Sequence, residues 1–130
     1  SASVRVIRDL NPDGTAAGSR TNARGIDLNR NFLASNFSPA ADRGAVPLSE
    51  PESRTLAREL DTFRPDLVIV FHSIRSGPFV NFDGPAADDA QAFVAAAQRS
   101  DPRWRVQPSM GYPTPGSLGT FVGVDRGLPI

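Results

Sequence analysis

The sequence predicts an α/β domain in which a mixed, mostly parallel sheet is flanked by helices. Three observations carry this. Strand-like apolar runs alternate with segments of helical spacing along the 130 residues. The run Leu67-Val68-Ile69-Val70-Phe71 is continuously apolar and rich in β-branched residues, the pattern of a strand buried on both faces. The segment just before it has a helix start, an apolar stripe and a stop in the right order.

Val4, Val6 and Ile7 predict a short opening strand, closed by a turn at Asn11-Pro12-Asp13-Gly14. Residues 15–24 are small and polar and read as an exposed loop, and residues 33–47 as a second one, since neither shows periodicity. Ser49-Glu50-Pro51-Glu52 starts a helix with Ser at the cap, Glu three positions later and Pro in the first turn. Leu56, Leu60 and Phe63 continue it, and Arg64-Pro65 ends it. After the strand at residues 67–71, a second helix is expected over Asp88–Arg99, with Ala90, Phe93, Val94 and Ala97 on one face. Trp104 to Val106 reads as an edge strand. A third helix is expected over Gly116–Arg126, with Leu118, Phe121 and Val122 inward and Gly127 as its stop. Leu128 to Ile130 would open another strand. One domain over residues 1–130 accounts for the whole pattern.

Acidic and basic residues balance at 14 each, so no long-range field marks a nucleic-acid or membrane-surface partner. Every basic residue is Arg. Cysteine is absent, which excludes a disulfide framework and thiolate metal sites and leaves the cellular compartment open. No apolar run approaches the length of a membrane span.

The polar chemistry concentrates in Arg20-Thr21-Asn22, in Asp27-Leu28-Asn29-Arg30-Asn31-Phe32 and at His72. His72 closes the strand-like run, and side chains at the carboxyl end of such strands leave the core and face a crevice. A neutral imidazole there can ligate zinc, although a lone histidine can equally be a structural residue. Arg30 offers a planar fork suited to a carboxylate, and Asn29 an amide donor beside it; as a bland alternative, these groups satisfy loop backbone. Arg20 sits in a polar loop, where a simply solvated side chain is the bland alternative.

These segments, with the Asn11-Pro12-Asp13-Gly14 stretch and Phe71-His72-Ser73, occur in an order that resembles the zinc carboxypeptidase family, the carboxypeptidase A-like metallopeptidases. The resemblance implies zinc-dependent hydrolysis of a peptide bearing a free carboxylate. It assigns His72 as the third zinc ligand, Asn29 and Arg30 as the clamp on the terminal carboxylate, and Arg20 as the group that stabilises the oxyanion. Asp27 matches a carboxylate that orients a histidine ligand, a partner this sequence does not contain. Tyr112 matches the mobile tyrosine that covers substrate, and Leu118 lies near the floor of the specificity pocket. An apolar Leu118 offers no carboxylate to a terminal Lys or Arg. Ile74 stands where the family often has Tyr.

The surroundings of Tyr112 are nearest to the bacterial branch acting on peptidoglycan peptides, the murein peptide amidases, which cleave between γ-D-glutamate and diaminopimelate. In the family, a His-x-x-Glu pair precedes the Asn-Pro-Asp-Gly stretch and a catalytic Glu follows a segment like Gly127-Leu128-Pro129-Ile130. Neither is present. The expectation is a partial catalytic domain, truncated at both ends, with an incomplete zinc site and no activity of its own. The alternative is a non-catalytic module that binds peptide terminal carboxylates.

Overall fold

The computed structural model describes residues 2–73 and 76–130. Residues 2–10 form neither helix nor strand, and Val4 is 82% exposed. The strand expected at Val4–Ile7 is therefore corrected: an extended segment becomes a strand only beside a hydrogen-bonding partner, and none pairs with it among the described residues. Arg5 nonetheless anchors this segment, with its guanidinium on Glu59 and 4.9 Å over the Phe63 ring.

Asn-Pro-Asp-Gly is not an isolated turn but the start of a short helix, α1 (Pro12–Ala17). Asn11 caps it, its side-chain oxygen accepting the Gly14 N–H at 3.0 Å, and Pro12 supplies a preset φ in the first turn. Turn formers and helix starters are the same residue types, so the sequence pattern fits both.

Helix α2 (Pro51–Phe63) follows its expected span, but its cap is Glu50 rather than Ser49. The Glu50 side chain makes no capping bond because it turns inward to other partners. Ser53, Ala57 and Leu60 form the buried face, and Arg64, at φ 50°, ends the helix with its N–H on the Leu60 carbonyl.

Beyond it, β1 (Phe79–Val80) and β2 (Arg105–Val106) pair in parallel, Phe79 opposite Arg105 and Val80 opposite Val106. Helix α3 (Ala87–Ala97) is the crossover between them, since parallel neighbours cannot be joined by a tight turn. Ala90 and Val94 are its buried residues, while Phe93 packs edge-on against Trp104 at 5.6 Å. At two residues, β1 is too short to leave a periodic signal.

The run Leu67–Phe71 departs most from expectation. It is not a strand, and Ile69 and Phe71 are 58% and 85% exposed. A run apolar on both faces needs covering elements and paired edges. Among the described residues it has one backbone bond, Val68 N–H to Pro129 O at 2.9 Å, and only Val68 packs on the core.

The third helix starts with two α-helical residues, Leu118 and Gly119, and then widens into a π-helix, Thr120–Val124. The Asp125 N–H accordingly reaches back five residues to Thr120 O at 2.9 Å. Gly127, at φ 63°, stops it. Residues 128–130 run between Val68 and Asp83, with Asp83 N–H on Ile130 O at 2.9 Å.

Phe32 and Ala34 meet Ala57 and Leu60 of α2 and Leu118, Phe121 and Val122 of the third helix in one core. The Phe32 and Phe121 rings stack at 5.7 Å. The chain is an α/β fold with a small parallel sheet and flanking helices, and the polar loop of residues 20–31 leads into Phe32 of this core. Among the described residues no helix is long and apolar enough to cross a membrane.

Candidate functional site

Two buried amides shape the polar loop. Asn22 accepts the N–H groups of Arg24 and Ile26 at 3.0 Å each and donates to Glu50 Oε2 at 2.8 Å. Asn31, fully buried, accepts from Ser53 Oγ at 2.7 Å and from the Glu50 N–H, and donates to Arg43 O and Ser49 Oγ. The loop is thereby bonded to the start of α2 at both of its ends. Burial pushes the Glu50 carboxyl upward, but hydrogen bonds from Asn22 and Ser49 and the charges of Arg24 and Arg54 outweigh it, so Glu50 sits below its ordinary value.

Between these anchors, Asp27 caps a single 3₁₀ turn, Leu28–Arg30. Its Oδ1 accepts the Asn29 N–H at 3.0 Å, while Oδ2 takes the Arg20 Nε–H at 2.7 Å. Arg20 thus has one edge fixed on a largely buried carboxylate and the rest of its guanidinium exposed. Asn29 turns its amide oxygen to the Leu118 N–H at 2.9 Å, so its NH2 end remains as donor. Arg30 Nη1 donates to Asn29 O at 2.7 Å.

A cleft of about 270 Å3 opens over this turn. Arg20, Asp27, Asn29, His72 and Leu118 line it together with Leu10, Asn11, Val70 and Phe71. His72 is open to solvent, yet its pKa is lowered, first by burial of part of its surroundings and then by the charge of Arg20. Asp27 opposes the shift and Arg30 adds to it. The imidazole, two arginines and a carboxylate therefore act on one region of space.

Arg30 borders the cleft without lining it, and Tyr112 stands 56% exposed outside it. The histidine expected beside Asp27 is not in this sequence, and Asp27 bonds Arg20. Ile74 lies outside the described residues. The anchoring role of Asn22, Asn31 and Glu50 was not visible in the sequence, where a Glu beside Pro at a helix start signals a cap and nothing more.

A catalytic zinc takes about three protein ligands and keeps one position open. Among the described residues no three His, Cys, Asp or Glu side chains come together to hold a metal. His72 is the one imidazole of the sequence, and Asp27 is already engaged by Arg20 and by backbone. These residues alone do not fit a complete zinc site.

The profile of a family described as Zinc carboxypeptidase matches residues 3–113. Murein peptide amidase A of Escherichia coli is 33% identical over 132 aligned positions, which cover 89% of this chain and 51% of that protein. The same-named protein of Vibrio campbellii is 31% identical, over 95% of this chain and 53% of its own length. The chain thus spans about half the length of the curated relatives it matches. The crystal structure of murein-tripeptide amidase from Escherichia coli O157 superposes with a TM-score of 0.69 at 32% identity, covering 92% of this chain and 53% of that one. The ordered polar segments, the α/β fold and the match across most of its length lead to one conclusion: this chain belongs to the zinc carboxypeptidase family.

Proposed function

We propose that this chain supplies the carboxylate clamp, the oxyanion donor and one metal ligand of a peptidase that hydrolyses peptidoglycan peptides at a carboxylate-bearing terminal residue. The observation that carries this reading is the shared cleft of Arg20, Asp27, Asn29, His72 and Leu118. The substrate class is taken from the murein peptide amidases it resembles.

Each role follows from what the side chain has left to offer. The Asn29 NH2 group and the Arg30 fork present donors to a terminal carboxylate, a strong charge-assisted pairing. Arg20, held through Nε by Asp27, directs its remaining N–H groups at oxygen charge developing on the scissile carbonyl. His72 would be one donor to a zinc ion, which when bound would supply activation of water and polarisation of the carbonyl. The other donors and the general base come from outside these 130 residues, so the chain by itself does not turn over peptide. Tyr112 reaches the cleft only by movement of its loop.

The test uses the full-length protein and a tripeptide of L-alanine, γ-D-glutamate and diaminopimelate. Release of diaminopimelate that stops on chelation and returns with zinc is expected, with Arg30→Ala raising KM. Carboxylate binding without turnover, unaffected by chelator, would instead make the protein a non-catalytic binding module. Turnover by the 130 residues alone would overturn the division of the site.

A further inference from the structure

Helix α1 buries one of its residues, and that residue is Gly14. A helix this short, with no apolar face turned to the core, draws little stability from packing, and glycine is the poorest helix former after proline. Close approach explains the choice instead. A Cβ on Gly14 would lie 2.7 Å from Thr21 O and would collide with the Asn11 amide. Gly14 is not in the left-handed region, so contact alone excludes a side chain there.

The chain folds back on α1 and places Arg20 beside the start of the helix. The Ser19 N–H donates to Gly14 O at 2.8 Å, and Ser19 Oγ accepts the Thr21 N–H at 3.1 Å. The Asn11 side chain uses both of its ends. Its oxygen caps the helix at Gly14, and its NH2 group reaches the Arg20 carbonyl at 3.5 Å. The main chain on each side of Arg20 thus rests on the Asn11–Gly14 stretch, and Asn11 also lines the cleft.

Arg20 depends on this support. Its side chain is largely exposed, so no apolar packing fixes it. Asp27 grips Nε alone, which leaves the rest of the guanidinium free to pivot about that bond. An oxyanion donor must stand about 2.7–3.1 Å from the developing charge, and misplacement is costly.

We propose that Asn11 and Gly14 are positioning residues, which aim Arg20 at the cleft by holding its main chain. Asn11 does this with its amide and Gly14 by having no side chain. The inference rests on the function proposed above for Arg20. With its backbone held at α1 and its Nε held at Asp27, the remaining N–H groups keep one direction.

The experiment places Gly14→Ala and Asn11→Ser in the full-length protein, each alone and each combined with Arg20→Ala. Serine keeps a helix cap but is too short to reach the Arg20 carbonyl, so Asn11→Ser carries the test alone if Gly14→Ala does not fold. Hydrolysis of the tripeptide named above is measured, together with hydrogen exchange of the Arg20 Nε–H, identified by its loss in Arg20→Lys. Each single variant is expected to lower kcat roughly 10- to 100-fold with little change in KM, and to speed that exchange. In the Arg20→Ala background neither should lower kcat further, because residues acting through one group are not additive. Equal losses with and without Arg20, an unchanged kcat, or a change confined to KM would each overturn the proposal. Should the wild type fail to hydrolyse the peptide, faster exchange in the variants would keep Asn11 and Gly14 in their role and overturn the peptidase reading alone. Unchanged exchange would overturn the positioning itself.

Discussion

The amide oxygen of Asn29 accepts the backbone N–H of Leu118 at 2.9 Å, across 89 positions of sequence. This bond joins the polar loop to the third helix at the cleft and fixes which end of the Asn29 amide is free. Asn29→Ala leaves the Leu118 N–H without its partner, a loss of about 1 kcal/mol. Urea unfolding of wild type and variant measures it, and coincident midpoints would show that the tie contributes nothing.

Glu50 predicts a dependence on pH. Its folded pKa lies below the ordinary 4.5, because Asn22, Ser49 and the nearby arginines outweigh the effect of burial. A lowered carboxyl pKa stabilises the fold above the unfolded value and loses that contribution as pH falls through the folded value. Glu50→Gln is expected to cost about 2 kcal/mol near neutrality, the scale of hydrogen bonds to a charged group. The gap between the two proteins should narrow in acid below pH 4.5. A gap independent of pH, in denaturation curves collected across that range, would mean the charge is immaterial.

Gly116 has φ 68°, and a Cβ there would lie 2.2 Å from Arg30 O. The colliding atom is backbone, so no side chain can swing aside. Gly116→Ala is expected to lose at least about 2 kcal/mol from strain and collision together. It should also weaken the Phe32 N–H to Gly116 O bond, 3.0 Å long, that closes the loop over the core. Thermal unfolding checks this, and an unchanged midpoint would contradict the packing described.

Arg20→Lys keeps a charge but cannot span Asp27 and the cleft with one planar group. In the full-length protein it is expected to lower kcat by roughly a hundredfold or more, as loss of an oxyanion donor does, with little change in KM. A rise in KM at constant kcat would move Arg20 from the oxyanion to substrate binding.

The fold class was legible in the sequence, its individual strands much less so. Arg20, Asp27, Asn29, His72 and Leu118 line one cleft and Arg30 and Tyr112 do not, while the roles the resemblance gives them remain part of the proposal. Helices α2 and α3 were legible from caps and spacing, since their signals are local. Strands were not. Val4–Ile7 and Leu67–Phe71 have strand composition, but pairing depends on partners remote in sequence, and β1 and β2 arise in short segments that α3 brings together. The buried Asn22–Glu50 bond left no mark either, for a charged residue's letter does not say what surrounds it.

A π turn is an α-helix carrying one surplus residue. In Thr120–Val124 that surplus sets the phase of Leu118, which both lines the cleft and joins the core, against Phe121 and Val122. Excising a single residue there would wind the segment back to ordinary pitch and swing everything before it by about 100°, one residue's share of a helical turn. The leucine would leave both the cleft wall and its place in the core, and Gly119 would slide off Asp83. The shape of the cleft wall is thus geared to a one-letter excess in the helix.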